Sequence, residues 1–239
     1  VSSGYWHSCA IKMDQRVKCW GCNGNDQSTP LEDLGPVLAI SAGKRHTCAI
    51  TMDQRVKCWG HDGYGQSTPP EALGPVLAIS AGEFHTCAIK TDQSLKCWGS
   101  KYGQLTPPGD SGPVLAISAG HEHTCAITMD QRVKCWGDNW FGQSTPPEDL
   151  GLVLAVSTGL YHTCAIQMDQ SVKCWGKKSR STPPGNLGPV LAVSAGENHT
   201  CVIKMDQTVS CWGNDEQGQS TPPEGLKIYI PEDEEKEEL

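Results

Sequence analysis

His46-Thr47-Cys48-Ala49-Ile50-Thr51-Met52-Asp53-Gln54-Arg55-Val56-Lys57-Cys58-Trp59-Gly60 recurs six times along the chain with small changes. Its cysteines pair as Cys9 with Cys19, Cys48 with Cys58, Cys87 with Cys97, Cys125 with Cys135, Cys164 with Cys174 and Cys201 with Cys211. Each pair is ten residues apart, and successive copies start 37 to 39 residues apart. A fixed period of this size marks a repeat architecture, in which each copy is one small unit that cannot bury its faces alone.

Each copy reads as a β-hairpin. In the first, Ile11 and Val17 are β-branched, and Met13-Asp14-Gln15 separates two short alternating runs. A three-residue loop pairs Lys12 with Arg16, Ile11 with Val17, Ala10 with Lys18 and Cys9 with Cys19. The cysteines then fall at a non-hydrogen-bonded pair, where Cα atoms lie about 4.5 Å apart, within disulfide reach. Six repetitions of that register predict one cross-strand disulfide per copy. Reduced buried thiols explain paired register less well, and a zinc site wants ligands two to four residues apart. The same loop requires Gln15 and its equivalents to be left-handed, a conformation glycine adopts more cheaply.

A full unit runs Pro-Val-Leu-Ala-Ile-Ser-Ala-Gly, two variable residues, the hairpin, a variable loop, then Gln-Ser-Thr-Pro-Pro and an acidic turn. That gives three strands per unit, with a short fourth after the loop as an alternative, and predicts an all-β, six-bladed β-propeller. Val1-Ser2-Ser3-Gly4 matches Ile40-Ser41-Ala42-Gly43, so the first leading strand is short, and the run 226–230 (Leu-Lys-Ile-Tyr-Ile) is expected to complete that blade. Residues 1–230 are read as a single propeller and 231–239 as an acidic, solvated tail. Six acids and one Lys give that tail −5 of the total −8. The body is therefore not basic, which argues against a nucleic-acid partner. No apolar run approaches the roughly 20 residues of a membrane span.

Thirteen cysteines, twelve of them in register, indicate an oxidising compartment, either extracellular or an organelle lumen. The repeat already begins at Val1, so either a processed mature chain or a trimmed one is expected. Cys22 has no partner in register and is read as unpaired.

The run Ser-Ala-Gly-x-x-His-Thr-Cys-Ala-Ile followed by Asp-Gln-x-Val-Lys-Cys-Trp-Gly and Gly-Gln resembles the regulator-of-chromosome-condensation repeat. It especially resembles the cysteine-bearing form of secreted and algal proteins and is similar in repeat type to β-lactamase-inhibitor-protein-II-like propellers. The resemblance implies a β-propeller, commonly seven-bladed, used for protein–protein recognition. Nucleotide exchange on a small GTPase, the founding activity, is not expected with this disulfide content and acidity. The chain departs from the pattern in three ways: six repeats, Gln in place of the turn Gly, and Ser-Thr-Pro-Pro in place of the Leu-Gly-x-Gly that often follows Gly-Gln; the fifth copy, Lys177-Lys178-Ser179-Arg180, is also short and lacks Gly-Gln.

The six equivalent His and six equivalent Trp residues are read as packing elements, because every blade needs them. No Ser/His/Asp or Cys/His set breaks the symmetry, so neither catalysis, a cofactor nor a metal is expected. What does vary is the pair before each His and the loop after Cys-Trp-Gly. A constant scaffold with aromatic and charged variable loops suits a recognition surface. The candidates are Tyr5, Trp6, Lys44, Arg45, Tyr64, Glu83, Phe84, Tyr102, Trp140, Phe141 and Tyr161. The leading expectation is a non-catalytic binding or scaffold propeller with a protein partner, in one version an accessory subunit of a larger assembly. A lectin with carbohydrate sites recurring between blades is the alternative, and an enzyme the third.

Overall fold

The computed structural model describes residues 1–100, 106–109 and 112–228. Six three-stranded antiparallel sheets follow one another along the chain, and none exchanges a strand with a neighbour. The second blade is typical: a leading strand Val37–Ala42, a middle strand His46–Thr51 and an outer strand Val56–Gly60. The first blade has only Ser2–Ser3 as its leading strand. The described residues contain three strands per blade and no fourth.

The hairpin register is the one the turn dictates. Ile11 pairs Val17, Ala10 pairs Lys18 and Cys9 pairs Cys19, while the Lys12 amide donates to the Arg16 carbonyl at 2.9 Å. Gln15, Gln54, Gln93, Gln131, Gln170 and Gln207 are all left-handed, with φ between 60° and 66°. All six expected disulfides form across the non-hydrogen-bonded pair. Cys9 is bonded to Cys19, Cys48 to Cys58, Cys87 to Cys97, Cys125 to Cys135, Cys164 to Cys174 and Cys201 to Cys211, with Cα atoms 4.0–4.1 Å apart. That is shorter than the roughly 4.5 Å expected of such a pair, so the bond draws the two strands together. The two ends of each staple differ in setting. Cys48, Cys87, Cys125 and Cys164, on middle strands, are fully buried. On the outer strands Cys97 is buried, whereas Cys58, Cys135, Cys174 and Cys211 are only half-buried. Closing a loop this short contributes about 2.5–3 kcal/mol in the chain-entropy view. The staple therefore fixes each hairpin locally. Cys22 is free and exposed.

The core is not one mass but a series of layers between blades. Ile50, Leu73, Val76, Ala88 and Trp98 form one layer, joining residues of the second and third blades, and equivalent layers fill the other successive junctions. Polar residues close each junction in a fixed order. The Thr47 hydroxyl donates its one proton to the Gln27 carbonyl at 2.9 Å, so it accepts from His7 Nε2–H at 2.7 Å. Trp59 Nε1–H donates to the same carbonyl at 3.0 Å. His46, Thr86, Gln66 and Trp98 repeat the relay, as do His123, Thr163, Gln143 and Trp175. In the fifth blade, which lacks Gly-Gln, the Arg180 carbonyl takes the Trp212 proton at 3.1 Å. The leading strands add a further bond, in which each Ser41-type hydroxyl accepts the amide of the next blade's Ala81 at 2.9 Å.

Those leading strands line an axial channel of about 610 Å³. At Gly120 a Cβ would come within 2.7 Å of the Gly159 carbonyl oxygen of the next blade, so glycine is required where the strands converge.

Five junctions share the His–Thr bond and a buried Trp, and three of them show the whole relay; between the sixth blade and the first neither recurs among the described residues. Trp20 is 51% exposed, whereas Trp59, Trp98, Trp136, Trp175 and Trp212 are 5–8% exposed. Among the described residues, neither His199 nor Trp20 has a junction hydrogen bond. Residues 226–228 of the expected closing strand take a leading-strand register: the Ile228 amide donates to the Gln207 carbonyl at 2.9 Å, as the Val37 amide does to Gln15. Residues 229 and 230, and the acidic tail 231–239, lie outside the described residues.

The junctions make two testable claims. Trp98→Ala removes a buried side chain and should cost about 3–5 kcal/mol in denaturant unfolding. Trp20→Ala should cost about 1 kcal/mol or less; equal losses would show that the first blade is sealed like the rest. The second concerns pH. Burial pushes His46, His85 and His123 down to about 3 and His162 to about 4. The unfolded chain takes up those protons below about 6.5 while the folded chain does not, so the stability is full above that pH and is lost as pH falls towards 4. Each buried ring should contribute up to about 1.4 kcal/mol per pH unit in that window. Urea unfolding at pH 7 and pH 5 checks this, and stability independent of pH over that range would contradict it.

Candidate functional site

Strand direction decides where the variable segments lie. The leading strand runs from the hairpin-turn end to Lys44-Arg45, and the outer strand returns to the same end at Gly60-His61. Both variable segments therefore crown one face, tied within each blade by one backbone bond: His61 to Arg45 at 2.8 Å, Asp138 to Glu122 at 2.7 Å, and Lys177 to Tyr161 at 2.8 Å. The constant glutamine shapes the longer loop. Gln66 and Gln143, fully buried, accept the amides of Tyr64 and Phe141 at 2.9 Å.

This mounting brings side chains from successive blades together. His61, Tyr64, Phe84, His121, Tyr161 and Phe141 form an unbroken chain of ring contacts, with centroids 4.9–6.2 Å apart. Cations lie over its rings and over two aromatics beside it. Lys44 lies over Tyr5 at 5.0 Å and Phe84 at 5.8 Å, and Arg45 over Trp6 at 5.1 Å. At the far end Lys177 lies over Phe141 at 5.3 Å and Arg180 over Tyr161 at 5.2 Å. Such contacts hold long side chains in place at about 0.5–1 kcal/mol each on an exposed surface.

Nine of the eleven candidates thus share one arc: Tyr5, Trp6, Lys44, Arg45, Tyr64, Glu83, Phe84, Phe141 and Tyr161. Trp140 sits on the same face at 89% exposure but outside the arc, and Tyr102 lies outside the described residues. His61, His121, Lys177 and Arg180 complete the arc and were absent from the candidate set. Their only sequence signal was a place in a variable slot.

Glu83 is the arc's electrostatic centre. It is 3% exposed, with one carboxylate oxygen paired to Lys44 Nζ and the other to His121 Nε2. Burial holds His121 down at about 4, so its ring is neutral at pH 7 and donates Nε2–H. Burial, together with nearby Glu197, pushes the Tyr5 phenol up, so it stays protonated. Beside the channel mouth, Asn198 Oδ1 and Arg180 Nη1 are buried without a protein partner. Among the described residues, no group of three or more His, Cys, Asp or Glu is placed to hold a metal. The six equivalent histidines do not converge on an ion, because five of them spend Nε2 on the next blade's threonine.

Fold and surface define a disulfide-stapled propeller with one differentiated face. The regulator of chromosome condensation (RCC1) repeat model matches residues 1–27, 37–66, 76–104, 114–143 and 190–219, and the chain belongs to that family. The unmatched copy is the fifth, which lacks Gly-Gln. Among solved structures, the CRINKLY WD40 ectodomain of the Arabidopsis thaliana receptor kinase ACR4 is 27% identical, with a TM-score of 0.79 over 96% of this chain and 87% of that one. The ectodomain of the Physcomitrella patens receptor kinase CR4 is 25% identical, with a TM-score of 0.77 over 89% of this chain and 63% of that one. Prp20p of Saccharomyces cerevisiae shares the fold at 16% identity and a TM-score of 0.75, over 89% of this chain and 70% of that one. No curated protein gives a significant match.

Glu83 yields a test. Glu83→Ala leaves Lys44 partly buried without its counter-charge and should cost about 3–5 kcal/mol in unfolding. Glu197→Ala, exposed on the same face, should stay within about 0.5 kcal/mol. A neutral Glu83→Ala would remove Glu83 from the centre of the face.

Proposed function

We propose that this chain is a protein-binding scaffold propeller of an oxidising compartment, which docks its partner on the aromatic–cation arc. The arc is the observation that carries the reading. It is built from residues that differ from blade to blade, so it suits one asymmetric partner, and aromatic and Arg side chains are those that dominate protein interfaces. A lectin would repeat one site between blades. Here the repeated His, Thr and Trp side chains serve the junctions, and the unrepeated residues gather on one face. The receptor-kinase ectodomains among its structural relatives fit the compartment that six intrachain disulfides need.

Native purification with mass spectrometry tests this. The protein should carry a partner at fixed stoichiometry, and Trp6→Ala with Phe141→Ala, both changes at exposed rings, should weaken retention about 30-fold or more. Retention of the partner by the variant would contradict the arc. Selective binding on a glycan array, with no protein partner, would replace the reading with the carbohydrate one.

A further inference from the structure

The axial channel holds polar groups that neither the junctions nor the arc uses. Its loop-face rim is lined by the first residue of four variable pairs: Tyr5, Lys44, His121 and Glu197. Glu83 and Leu160 hold the same position in the other two blades and are buried. The rim thus varies from blade to blade, whereas the wall beneath it is small and mostly alanine. Ala42, Ala81, Ala119 and Ala195 line it, with hydroxyls only at Ser3 and Thr158 two residues before the rim. On the sixth blade the lining also takes in Asn198. A cavity of about 610 Å³ with an apolar wall and a few convergent polar groups has the size and make-up of a small-molecule site.

Acceptors come from the fourth and sixth blades. His121 gives Nε2–H to Glu83, so its Nδ1 carries a lone pair. That atom is buried without a hydrogen-bond partner in the protein, and the Glu122 carboxylate stands 4.0 Å from it. Asn198 Oδ1 is buried and unpartnered in the same way. Glu197 adds an exposed carboxylate. Donors cluster at Tyr5, whose phenol keeps its proton. Lys44 lies over the Tyr5 ring at 5.0 Å and gives Glu83 only one of its three protons. The charge of Arg180, whose buried Nη1 has no protein partner, also acts on the phenol. A buried polar group left unpaired costs about 1–3 kcal/mol, so each of these atoms is a place where a ligand gains.

We propose that the channel binds a free α-amino acid with an apolar side chain. The ammonium donates to His121 Nδ1 and Asn198 Oδ1, with Glu197 as its counter-charge. The carboxylate accepts from Tyr5 and Lys44, and the side chain descends along the alanine wall. Two features select this ligand. Both charge signs stand on the rim, so an anion meets Glu197 and a cation meets Lys44, whereas a zwitterion satisfies both. The wall below is apolar in four of the six blades, so the part of the ligand that enters it is apolar too. The site does not depend on the docking reading, since the ligand enters the channel and leaves the exposed rings of the arc uncovered.

Isothermal titration calorimetry of the intact protein with L-leucine tests this. Leucine should bind, and glycine, which lacks the side chain, should bind about 10-fold more weakly or worse. 4-Methylpentanoate lacks the ammonium and leucinamide the carboxylate, and each should also lose about 10-fold or more. Asn198→Leu removes one rim acceptor and should weaken leucine binding by a similar factor, with urea unfolding showing that the fold is kept. Ala119→Phe fills the channel and should abolish binding. The ligand series decides by itself if either variant fails to fold. No heat with leucine up to about 10 mM, equal binding of all four compounds, or binding indifferent to both substitutions would overturn the proposal. So would equally tight binding of N-acetyl-leucinamide, because the occupant would then be a segment of a partner chain.

Discussion

The relay from histidine through threonine to a glutamine carbonyl, shared with tryptophan, is the constraint on which the rest of this structure depends. Its His–Thr bond joins side chains roughly 40 residues apart in sequence at five junctions, and the whole relay is complete at three of them. The carbonyl accepts two protons, the threonine passes one on, and the imidazole supplies its Nε2–H. Each bond contributes only about 1 kcal/mol net, but an orphaned partner in the same dry layer would cost more. The histidine is consequently held neutral. Burial, not a charged neighbour, is the main cause.

Two kinds of bond divide the labour. The disulfides act within a hairpin, over ten residues, and shape a blade without reference to its neighbours. The relays and apolar layers act between blades and set how each is placed on the next. A chain rich in glycine and proline has little helix to lean on and a small core per unit. Local staples and repeated junctions together supply what a single large core would in another fold. Where the junction set is missing, between the last blade and the first, Trp20 stands half in solvent.

The division also explains what could be read from the residues alone. Hairpin register, disulfides and left-handed glutamines were legible because a period of two and a three-residue loop leave almost no choice. That His and Trp are structural was legible from their repetition. The arc was legible only as membership. Tyr64, Phe84 and Tyr161 stood in variable slots, but their ring contacts depend on spacing between blades, which sequence does not carry. Glu83 is the clearest case. An acid in a variable slot looks solvated, and only Lys44 and His121, from the blades on either side, make its burial tolerable.

The architecture assigns repetition to the scaffold and variation to the loop face. The central claim within it is that neutral Nε2–H imidazoles tie the blades together. Long-range proton–nitrogen correlation NMR of the histidine rings across a pH series measures this directly. The account predicts that His7, His46, His85, His123 and His162 hold the Nε2–H tautomer, with the four of these buried hardest unprotonated well below pH 6. Rings that titrate near the ordinary histidine pKa of about 6.5, or that carry the proton on Nδ1, would contradict it.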